Sequence, residues 1–421
     1  MKIKLFHLLN EGKRRTAVVF FLLLFLFFDT AKGEEIGIRE ALDLFYKNNY
    51  DIVKNQYEID KASADLLEAK LRLNPSLSVD TTGFVISKGG IRSIDNTQLA
   101  VRVDQPIRIG KKKELKIASA KENFEAVKLS YKDIIRNILS VFYTVYYGIS
   151  LDKLYIDFSR GELARFEKTL EVAEKRYTTG FLSINDYTKL KLQRIELENN
   201  LTNYETKFLN DIENFNLLLG SKERFEPVGI VAQESFQEYT EDDLIEKAYK
   251  NRPDFLSIQR QIKASEHNLS LAKANRLPDV TVGVEYDSFA PDYKPGIGAG
   301  VSLPLPLFNR NQREIKRRDA ERSQIKVEAE KIQRQIVTDI RQALSSYRGF
   351  VKIFESYKSK KEEMEKLLEN NEKAFSLGGV TVLELIDTRR TYIDFMTKYN
   401  QAIVQAMLGG ELLKIYTGEI K

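Results

Sequence analysis

Residues 126–145 have the sequence AVKLSYKDIIRNILSVFYTV. Its apolar side chains recur at intervals that alternate between four and three residues, at Val127, Tyr131, Ile134, Ile138, Val141 and Val145. A seven-residue repeat of this kind is typical of long helices that pack as in a coiled coil. The chain has no proline between residues 110 and 177, so we predict one helix over about 110–177.

The same spacing occurs again about 200 residues further along the chain. This spacing predicts a second long helix over about 309–375. The apolar positions that carry it are Ile336, Ile340, Ala343, Tyr347, Phe350 and Phe354. Other blocks recur in the same order, namely Tyr-Lys-Asn at 46–48 and 249–251, proline at 106 and 306, and glycine at 180 and 378. We therefore predict a tandem internal repeat, with a first copy at 34–220, an equatorial linker at 221–240 and a second copy at 241–421.

Each copy changes from helical to alternating periodicity after a proline. In the second copy Val280, Val282 and Val284 alternate with more polar residues, which is typical of a β-strand. We predict strands at about 76–86, 97–107, 279–287 and 296–305, which form two hairpins with turns at 88–96 and 288–294. After each long helix we predict a glycine turn, at 178–182 and 376–380, and a returning helix, at 183–219 and 381–417.

The N-terminus is typical of a secretory signal peptide, predicted at 1–33. Lys13, Arg14 and Arg15 precede an apolar run from Ala17 to Phe28, and Ala31-Lys32-Gly33 offers small residues at a cleavage site. The alternative, a retained anchor, is disfavoured because twelve apolar residues rise only ~18 Å as a helix. Beyond residue 33 there are 60 basic and 59 acidic residues, and this balance argues against a nucleic-acid partner.

The residue types argue against catalysis and against bound cofactors. The chain has no cysteine, which excludes disulfides, thiolate metal sites and an N-terminal lipid anchor on cysteine. Beyond the signal peptide there is one histidine, His267, in a polar helical stretch typical of a solvated side chain. We find no nucleophile motif and no phosphate-binding glycine loop, so we predict that the protein is not an enzyme and has no cofactor or resident metal.

Strands of about ten residues have the length that crosses an outer membrane, but four strands cannot close a barrel. Three chains would give twelve strands, and their helices could continue as a tube below the barrel. The alternative is a periplasmic coiled-coil scaffold or adaptor with small hairpins. A peptidoglycan-acting enzyme would need paired acids in a cleft, which we do not find.

The order of these blocks resembles the TolC-type outer-membrane efflux family. The resemblance is carried by the duplication, by Pro-Leu-Pro-Leu-Phe-Asn-Arg-Asn at 304–311, and by turns of the form Tyr-x-x-Gly-Phe-Leu and Phe-x-x-Gly-Gly-Val. It implies a mainly α fold with a transmembrane β-barrel part: a homotrimer with a twelve-stranded barrel in the outer membrane and a periplasmic α-helical barrel. It also implies an outer-membrane exit duct of a Gram-negative-type bacterium, without a lipid anchor, that works with a periplasmic adaptor and an inner-membrane pump.

The resemblance also implies site residues near the two glycine turns. Glu384 and Asp387 lie six and nine residues after Gly378, where the family narrows the pore entrance with acids. Asp186 matches the acid of a latch that closes the tip, but Phe375 and Val380 stand where the latch has a tyrosine and an arginine. The implied adaptor-docking tips are Gly180, Phe181, Leu182, Gly378, Gly379 and Val380.

The exported substrate is the least determined property. The segment 304–312 resembles metal-efflux members of the CzcC type, which favours heavy-metal cations and a pump of the resistance-nodulation-division class. Drug or solvent efflux and type I protein secretion with an ABC exporter are the alternatives.

Overall fold

The computed structural model describes residues 33–87, 90–229, 235–288 and 294–419, with side chains at 82–87 and 91–97 left out. The predicted signal peptide, except for Gly33, lies outside the described residues, as do parts of the linker and of both hairpin turns.

The first half of the chain begins with a three-residue strand and ends with a long helical hairpin. Its elements are β1 (Glu34–Ile36), α1 (Ile38–Asn48), α2 (Tyr50–Lys70), β2 (Ser76–Ser87), β3 (Gly90–Ile107), α3 (Lys112–Thr178) and α4 (Ile184–Leu219).

The second half has the same order of strand, two helices, two strands and long helices. Its elements are β4 (Phe225–Pro227), α5 (Glu241–Asn251), α6 (Pro253–Ala274), β5 (Val280–Ser288), β6 (Gly296–Ser302), α7 (Gln312–Lys358), α8 (Lys361–Leu377) and α9 (Val382–Tyr416). Descent of the two halves from one repeated unit stays a prediction.

Three element boundaries differ from the sequence prediction. Strand β3 begins at Gly90, so residues 91–96 belong to a strand and not to a turn, and β6 ends at Ser302. The second long helix is interrupted between α7 and α8, where the hydroxyl of Ser359 donates to the carbonyl of Ser356 and the amide of Lys360 donates to the carbonyl of Tyr357. Side-chain bonds of this kind and three-residue turns compete with the regular helical ladder.

The face of α3 predicted from the segment 126–145 is only partly buried in this chain. Val141, placed on the packing face by the sequence, is 51% exposed, whereas Leu139, Phe142 and Tyr146 are buried. The apolar face of α3 that contains Val141 is therefore covered less completely than the face that contains Leu139 and Phe142. In the second copy the prediction agrees with the structure, because Ile336, Ile340, Tyr347 and Phe354 are buried. One stretch of α3 also has the length and hydropathy of a membrane span, a property that core helices share.

The four longer strands form one antiparallel sheet in the order β2-β3-β5-β6. The hairpin partners pair as predicted, and β3 joins the hairpins by pairing with β5, with Ile107 opposite Val280. The sequence did not predict a second sheet, in which β1 and β4 pair in parallel from Glu34 opposite Phe225 to Ile36 opposite Pro227.

The chain forms two compact units, and neither coincides with a predicted repeat. The first contains the described residues up to Tyr50, of Thr144–Gln233 and of Phe354–Val404; the second contains those of Asp51–Tyr143, Glu234–Ile353 and Gln405–Lys421. Each unit takes segments from both halves of the sequence because helices such as α3 contribute to both. The first unit holds the glycine turns, and the second holds the four-stranded sheet.

Candidate functional site

Both glycine turns of the first unit stop a helix in the same way. Gly180 and Gly378 have φ angles of +80° and +82°, a left-handed conformation that glycine adopts without strain. After the first turn the amide of Phe181 donates to the carbonyl of Arg176 over 2.7 Å, and the amide of Gly379 makes the matching bond over 2.8 Å. These bonds satisfy a carbonyl near the end of α3 and one near the end of α8, which is how a left-handed glycine commonly ends a helix.

Both returning helices begin with the same capping arrangement. The hydroxyl of Ser183 accepts the amide of Asp186 over 3.1 Å, and the hydroxyl of Thr381 accepts the amide of Glu384 over 3.2 Å. In return the Glu384 carboxylate accepts the backbone amide of Thr381 over 2.8 Å. Two residues predicted as a latch acid and a pore acid therefore also fix the first turns of α4 and α9.

The surroundings of these acids keep both carboxylates ionised. The pKa of Asp186 is lowered by the ammonium group of Lys189, 3.0 Å from Oδ1, and then by the Ser183 hydroxyl. The pKa of Glu384 is lowered by the backbone amide and then the hydroxyl of Thr381. Within the described residues the contacts of Asp186 are local to α4, so its role as a latch stays a prediction.

Asp387 lies one turn after Glu384, and both side chains are exposed. Residues three apart on a helix share a face, so the two carboxylates point to one side of α9. Among the described residues the Asp387 carboxylate has no hydrogen-bond or ion-pair partner. The hydroxyl of Thr391 donates to the backbone carbonyl of Asp387 and not to its side chain. The pair therefore has the charge and the exposure that the predicted pore entrance requires.

An apolar cluster and one arginine hold the two helical hairpins together behind the turns. The cluster consists of Phe166, Ala173, Tyr187, Leu190, Leu197, Phe375, Val382, Leu385 and Ile386. Arg176 donates from Nη1 to the carbonyl oxygen of Phe375 over 2.6 Å, and its guanidinium lies 4.9 Å from the centre of that ring. Of the predicted docking residues, Leu182 and Val380 pack against this cluster, whereas Phe181 is 78% exposed.

A buried charge cluster lies further along the same hairpins, and sequence reasoning missed it. Arg389 is fully buried and donates from Nη1 to Glu162 over 3.0 Å, from Nη2 to Thr169 over 3.4 Å, and to Glu372. Its guanidinium also lies 5.0 Å from the centre of the Phe166 ring. Arg389 therefore joins α9 to α3 and α8 through charged hydrogen bonds.

The sequence contained a signal for this cluster. Leu385, Arg389, Tyr392 and Met396 follow one another at intervals of four, three and four, so the arginine occupies a position of the apolar face. A charged residue at such a position indicates a buried partner of opposite charge.

The sheet of the second unit carries its apolar side chains outward. On one face nine apolar side chains are between 41% and 83% exposed, and they are Leu77, Val79, Leu99, Val103, Val282, Val284, Tyr286, Ile297 and Val301. Residues that are paired across neighbouring strands, such as Leu77 and Val103, lie on the same face of the sheet.

The opposite face of the sheet is polar. Arg102 donates from Nε to Asp104 over 2.9 Å and from Nη1 to Glu285 over 3.4 Å, and Gln98 donates to Asp287 over 2.9 Å. A sheet that covers a water-soluble core shows its apolar face to that core, whereas a membrane barrel shows it to lipid and keeps polar residues inside.

The described part of the chain contains no group of three His, Cys, Asp or Glu side chains placed to hold a metal ion. A cavity of about 240 Å³ lies between α7 and α9 in the second unit. The residues that line this cavity are mainly apolar or carry amide groups, and they include one acid, Asp339.

The sequence is similar to one family model and to two curated proteins. Residues 244–406 match the family model described as outer membrane efflux protein. The chain is 21% identical over 284 residues to the cobalt-zinc-cadmium resistance protein CzcC of Cupriavidus metallidurans, covering 66% of this chain and 64% of CzcC. It is 24% identical over 259 residues to the outer membrane protein TolC of Vibrio cholerae, covering 56% of this chain and 58% of TolC. The chain thus aligns with less than two thirds of either curated relative.

Among solved structures the fold is similar to that of CusC, a protein that forms a transmembrane channel. The TM-score is 0.78 at 13% sequence identity, over 90% of this chain and 91% of CusC. The channel CmeC of Campylobacter jejuni gives a TM-score of 0.75 at 12% identity, over 90% of this chain and 85% of CmeC. The mainly helical fold with its small sheet is therefore that of solved outer-membrane channels.

Proposed function

Since the chain belongs to the outer membrane efflux protein family, we propose that it is the outer-membrane exit duct of a tripartite efflux system. The duct conducts substrates passively from the periplasm or a pump to the exterior, without chemical conversion. The observation that carries this proposal is the sheet of the second unit, whose apolar face is exposed and whose polar face holds Arg102, Asp104 and Glu285.

The active form in this proposal is a homotrimer. A sheet of four strands leaves β2 and β6 as open edges, and unpaired backbone groups at these edges are unfavourable in lipid. Three copies close a twelve-stranded barrel, and the partly exposed face of α3 at Val141 packs against a neighbouring chain in an α-helical barrel. The partners are outer-membrane lipid, a periplasmic adaptor at the exposed turn residue Phe181, and an inner-membrane pump.

The pore entrance in this proposal is formed by Glu384 and Asp387. Threefold symmetry would turn the two exposed carboxylates into two stacked rings of three negative charges. Rings of this kind attract cations, and divalent cations that bind between the carboxylates obstruct the flow of monovalent ions.

For the substrate we propose heavy-metal cations delivered by a pump of the resistance-nodulation-division class. The likeness to CzcC, a cobalt-zinc-cadmium resistance protein, supports this choice over drug or solvent efflux and over type I protein secretion. The duct needs no metal site for this role, because a water-filled channel conducts best when it binds its cargo weakly.

Single-channel recording tests the duct. We expect the detergent-purified protein to insert into a planar bilayer and give cation-selective openings that millimolar divalent cations reduce. A periplasmic scaffold or adaptor would be extracted without detergent and would give no conductance. If the protein is extracted without detergent and also gives no conductance, it is not an outer-membrane duct.

A further inference from the structure

All four strands meet the helical part of the second unit at the same end of the sheet. Here β2 begins and β3 ends, with Ser76 opposite Asp104, and β5 begins and β6 ends, with Thr281 opposite Ser302. The connecting segments are 71–75, 108–113, 275–279 and 303–313, and we refer to them together as the junction belt.

The junction belt is strongly basic. It contains eight basic residues and a single acid, Asp279, which binds the buried ammonium group of Lys112 over 2.6 Å. The other seven are at least partly exposed, and they are Arg72, Arg108, Lys111, Lys113, Arg276, Arg310 and Arg313. None of these seven side chains forms an ion pair with a residue in the described parts of the chain.

The neighbouring helix α7 also has more basic than acidic residues in its first turns, but two of its arginines there form ion pairs. In the first turns of α7, Arg317 binds Glu321 over 3.0 Å and Arg318 binds Glu314 over 2.7 Å. Acids are therefore available a few residues away, whereas within the belt Asp279 is the single acid and is already paired with Lys112. Clustered cations that form no ion pairs repel one another, so their free energy falls when external anions bind between them.

Exposed apolar side chains lie among these cations. Phe308 is 91% exposed, and four leucines of the belt are between 52% and 72% exposed: Leu71, Leu277, Leu305 and Leu307. The belt also continues the exposed apolar face of the sheet, because β6 leads directly from Val301 into Leu303 and Leu305. Apolar groups and cations at one level fit the boundary of a bilayer, where acyl chains meet charged headgroups.

The backbone conformation at Lys111 also bears on why the junction belt is basic. Lys111 has a φ angle of +59°, a conformation that is unfavourable for lysine, and the corresponding residue before α7 is Asn311 with a φ angle of +60°. Asparagine tolerates this conformation better than lysine does. The first junction therefore holds a cation where the local backbone favours another residue.

We propose that the junction belt binds the phosphate groups of anionic phospholipids in the membrane leaflet on the helical side of the sheet. This inference rests on the proposed outer-membrane location. The cations bind headgroups while Phe308 and the leucines enter the acyl region beside them. In a trimer the belt would surround the barrel and fix its depth in the membrane.

The test uses the full chain purified in detergent, with added phosphatidylglycerol or phosphatidylcholine. We expect phosphatidylglycerol to raise the thermal unfolding midpoint by several degrees more than phosphatidylcholine does, with a smaller difference at high salt. The variant is Arg276→Gln, Arg310→Gln and Arg313→Gln combined, and it should lose most of this difference while keeping the wild-type midpoint in phosphatidylcholine.

The matched control combines Arg39→Gln, Lys168→Gln and Arg334→Gln. These three cations are exposed, lie outside the belt and form no ion pair within the described residues, so the control should respond as the wild type does. Equal effects of the two lipids on the wild type, equal losses in both triple variants, or the same stabilisation by inorganic phosphate would overturn the inference. If the same detergent-purified protein gives no conductance in a planar bilayer, the proposed membrane function fails instead.

Discussion

Arg389 joins the helical hairpins through a buried charge. It is fully buried, and its charge is balanced by Glu162 and Glu372. Breaking a buried ion pair by removing one partner leaves an uncompensated charge in a medium of low dielectric constant.

We therefore expect Arg389→Met to lower the free energy of unfolding by about 3–5 kcal/mol. Denaturant unfolding of the full chain in detergent, followed by circular dichroism, measures this change. The adjacent Arg390 provides the control, because its side chain is 62% exposed and lies 3.5 Å from Glu196. Arg390→Met should cost at most about 1 kcal/mol. Equal losses in the two variants would show that the buried charge cluster has no special role.

Glu162 of the same cluster makes stability depend on pH. Burial raises the pKa of its carboxyl group, although Arg389 and Arg165 act in the opposite direction; Glu372 adds to the rise. The native state therefore binds this proton more tightly than the unfolded state does. The resulting stabilisation is complete below the ordinary pKa of glutamate and is lost as the pH rises through the raised value.

The expected result is that Glu162→Gln flattens the pH dependence of the unfolding free energy above the ordinary pKa of glutamate. Unfolding midpoints of wild type and variant, compared at a series of pH values from acidic to neutral, measure the effect. Parallel curves would mean that Glu162 has the same pKa in the native and unfolded chains.

At the level of single residues, the sequence revealed exposed groups better than buried ones. Gly180 and Gly378 were recognisable because a left-handed turn after a helix favours glycine. Arg389 was missed because a charged residue is normally assigned to the solvent. Its partner Glu162 lies 227 positions away in the sequence, so the apolar spacing alone could not identify the pair.

The first turn of helix α9 contains a residue that has two possible roles. Glu384 caps the helix through Thr381 and is also the predicted pore acid, so its replacement by alanine would change folding and charge together. Glutamine in the same position can still accept the Thr381 amide, because Glu and Gln both serve in a capping box. Glu384→Gln thus separates charge from capping.

We expect Glu384→Gln with Asp387→Asn to weaken the divalent-cation block of conductance and to lower cation selectivity, while the helix content stays unchanged. The reason is the loss of six carboxylates from the entrance of a trimer. Single-channel recording with and without divalent cations measures both effects. Asp242→Asn with Glu246→Gln removes two exposed acids from α5 and should leave the block intact. If divalent cations still block the conductance of the α9 variant, the constriction is formed by other residues.

The two faces of β6 can be compared at adjacent residues. Ala299 pairs with Val284 on the exposed apolar face, whereas Gly298 pairs with Glu285 on the polar face. We expect Ala299→Lys to destabilise the membrane-inserted protein by about 2–4 kcal/mol, because the ammonium group would face lipid near mid-strand. Gly298→Lys should be tolerated, since a side chain there meets open space beside an acid. Folding yield into phosphatidylcholine vesicles measures both, and similar yields would argue against a lipid-facing sheet.

At the level of elements, periodicity predicted the type of each long segment and the two hairpin pairings, but not every boundary or face. The apolar repeat at 126–145 is real, yet Leu139 and Phe142 face the interior of this chain while Val141 does not. A helix with two apolar faces does not reveal which neighbour covers which face. The parallel pair of β1 and β4 was also missed, because three-residue strands leave no periodic signal.

At the level of the whole molecule, the four-stranded sheet of one chain does not close on itself. Strands β2 and β6 are the edges, and they are separated by β3 and β5. Three strand spacings amount to about 14 Å, well beyond the ~7 Å between Cα atoms that a disulfide can bridge. A disulfide between the two edges therefore has to join different copies of the chain.

We expect such a bond to form if three copies close one barrel. The chain contains no cysteine, so introduced pairs react without background. Ser78 lies on β2 with Arg102 as its partner, on the polar face that also carries Gly298, Gly300 and Ser302 of β6. Ser78→Cys would be combined in turn with Gly298→Cys, Gly300→Cys or Ser302→Cys, because the register between chains has to be sampled.

Under oxidising conditions at least one pair should give covalent dimers and trimers on a denaturing gel, with no larger species, and reductant should return them to monomers. Ser78→Cys alone should stay monomeric, because in a closed barrel the β2 strands of different copies are separated by the other strands. A ladder that continues beyond three chains would indicate an open polymer, since unclosed edges keep adding copies. Monomers in all three pairs would mean that β6 of one chain does not meet β2 of the next, and the twelve-stranded barrel would then be wrong.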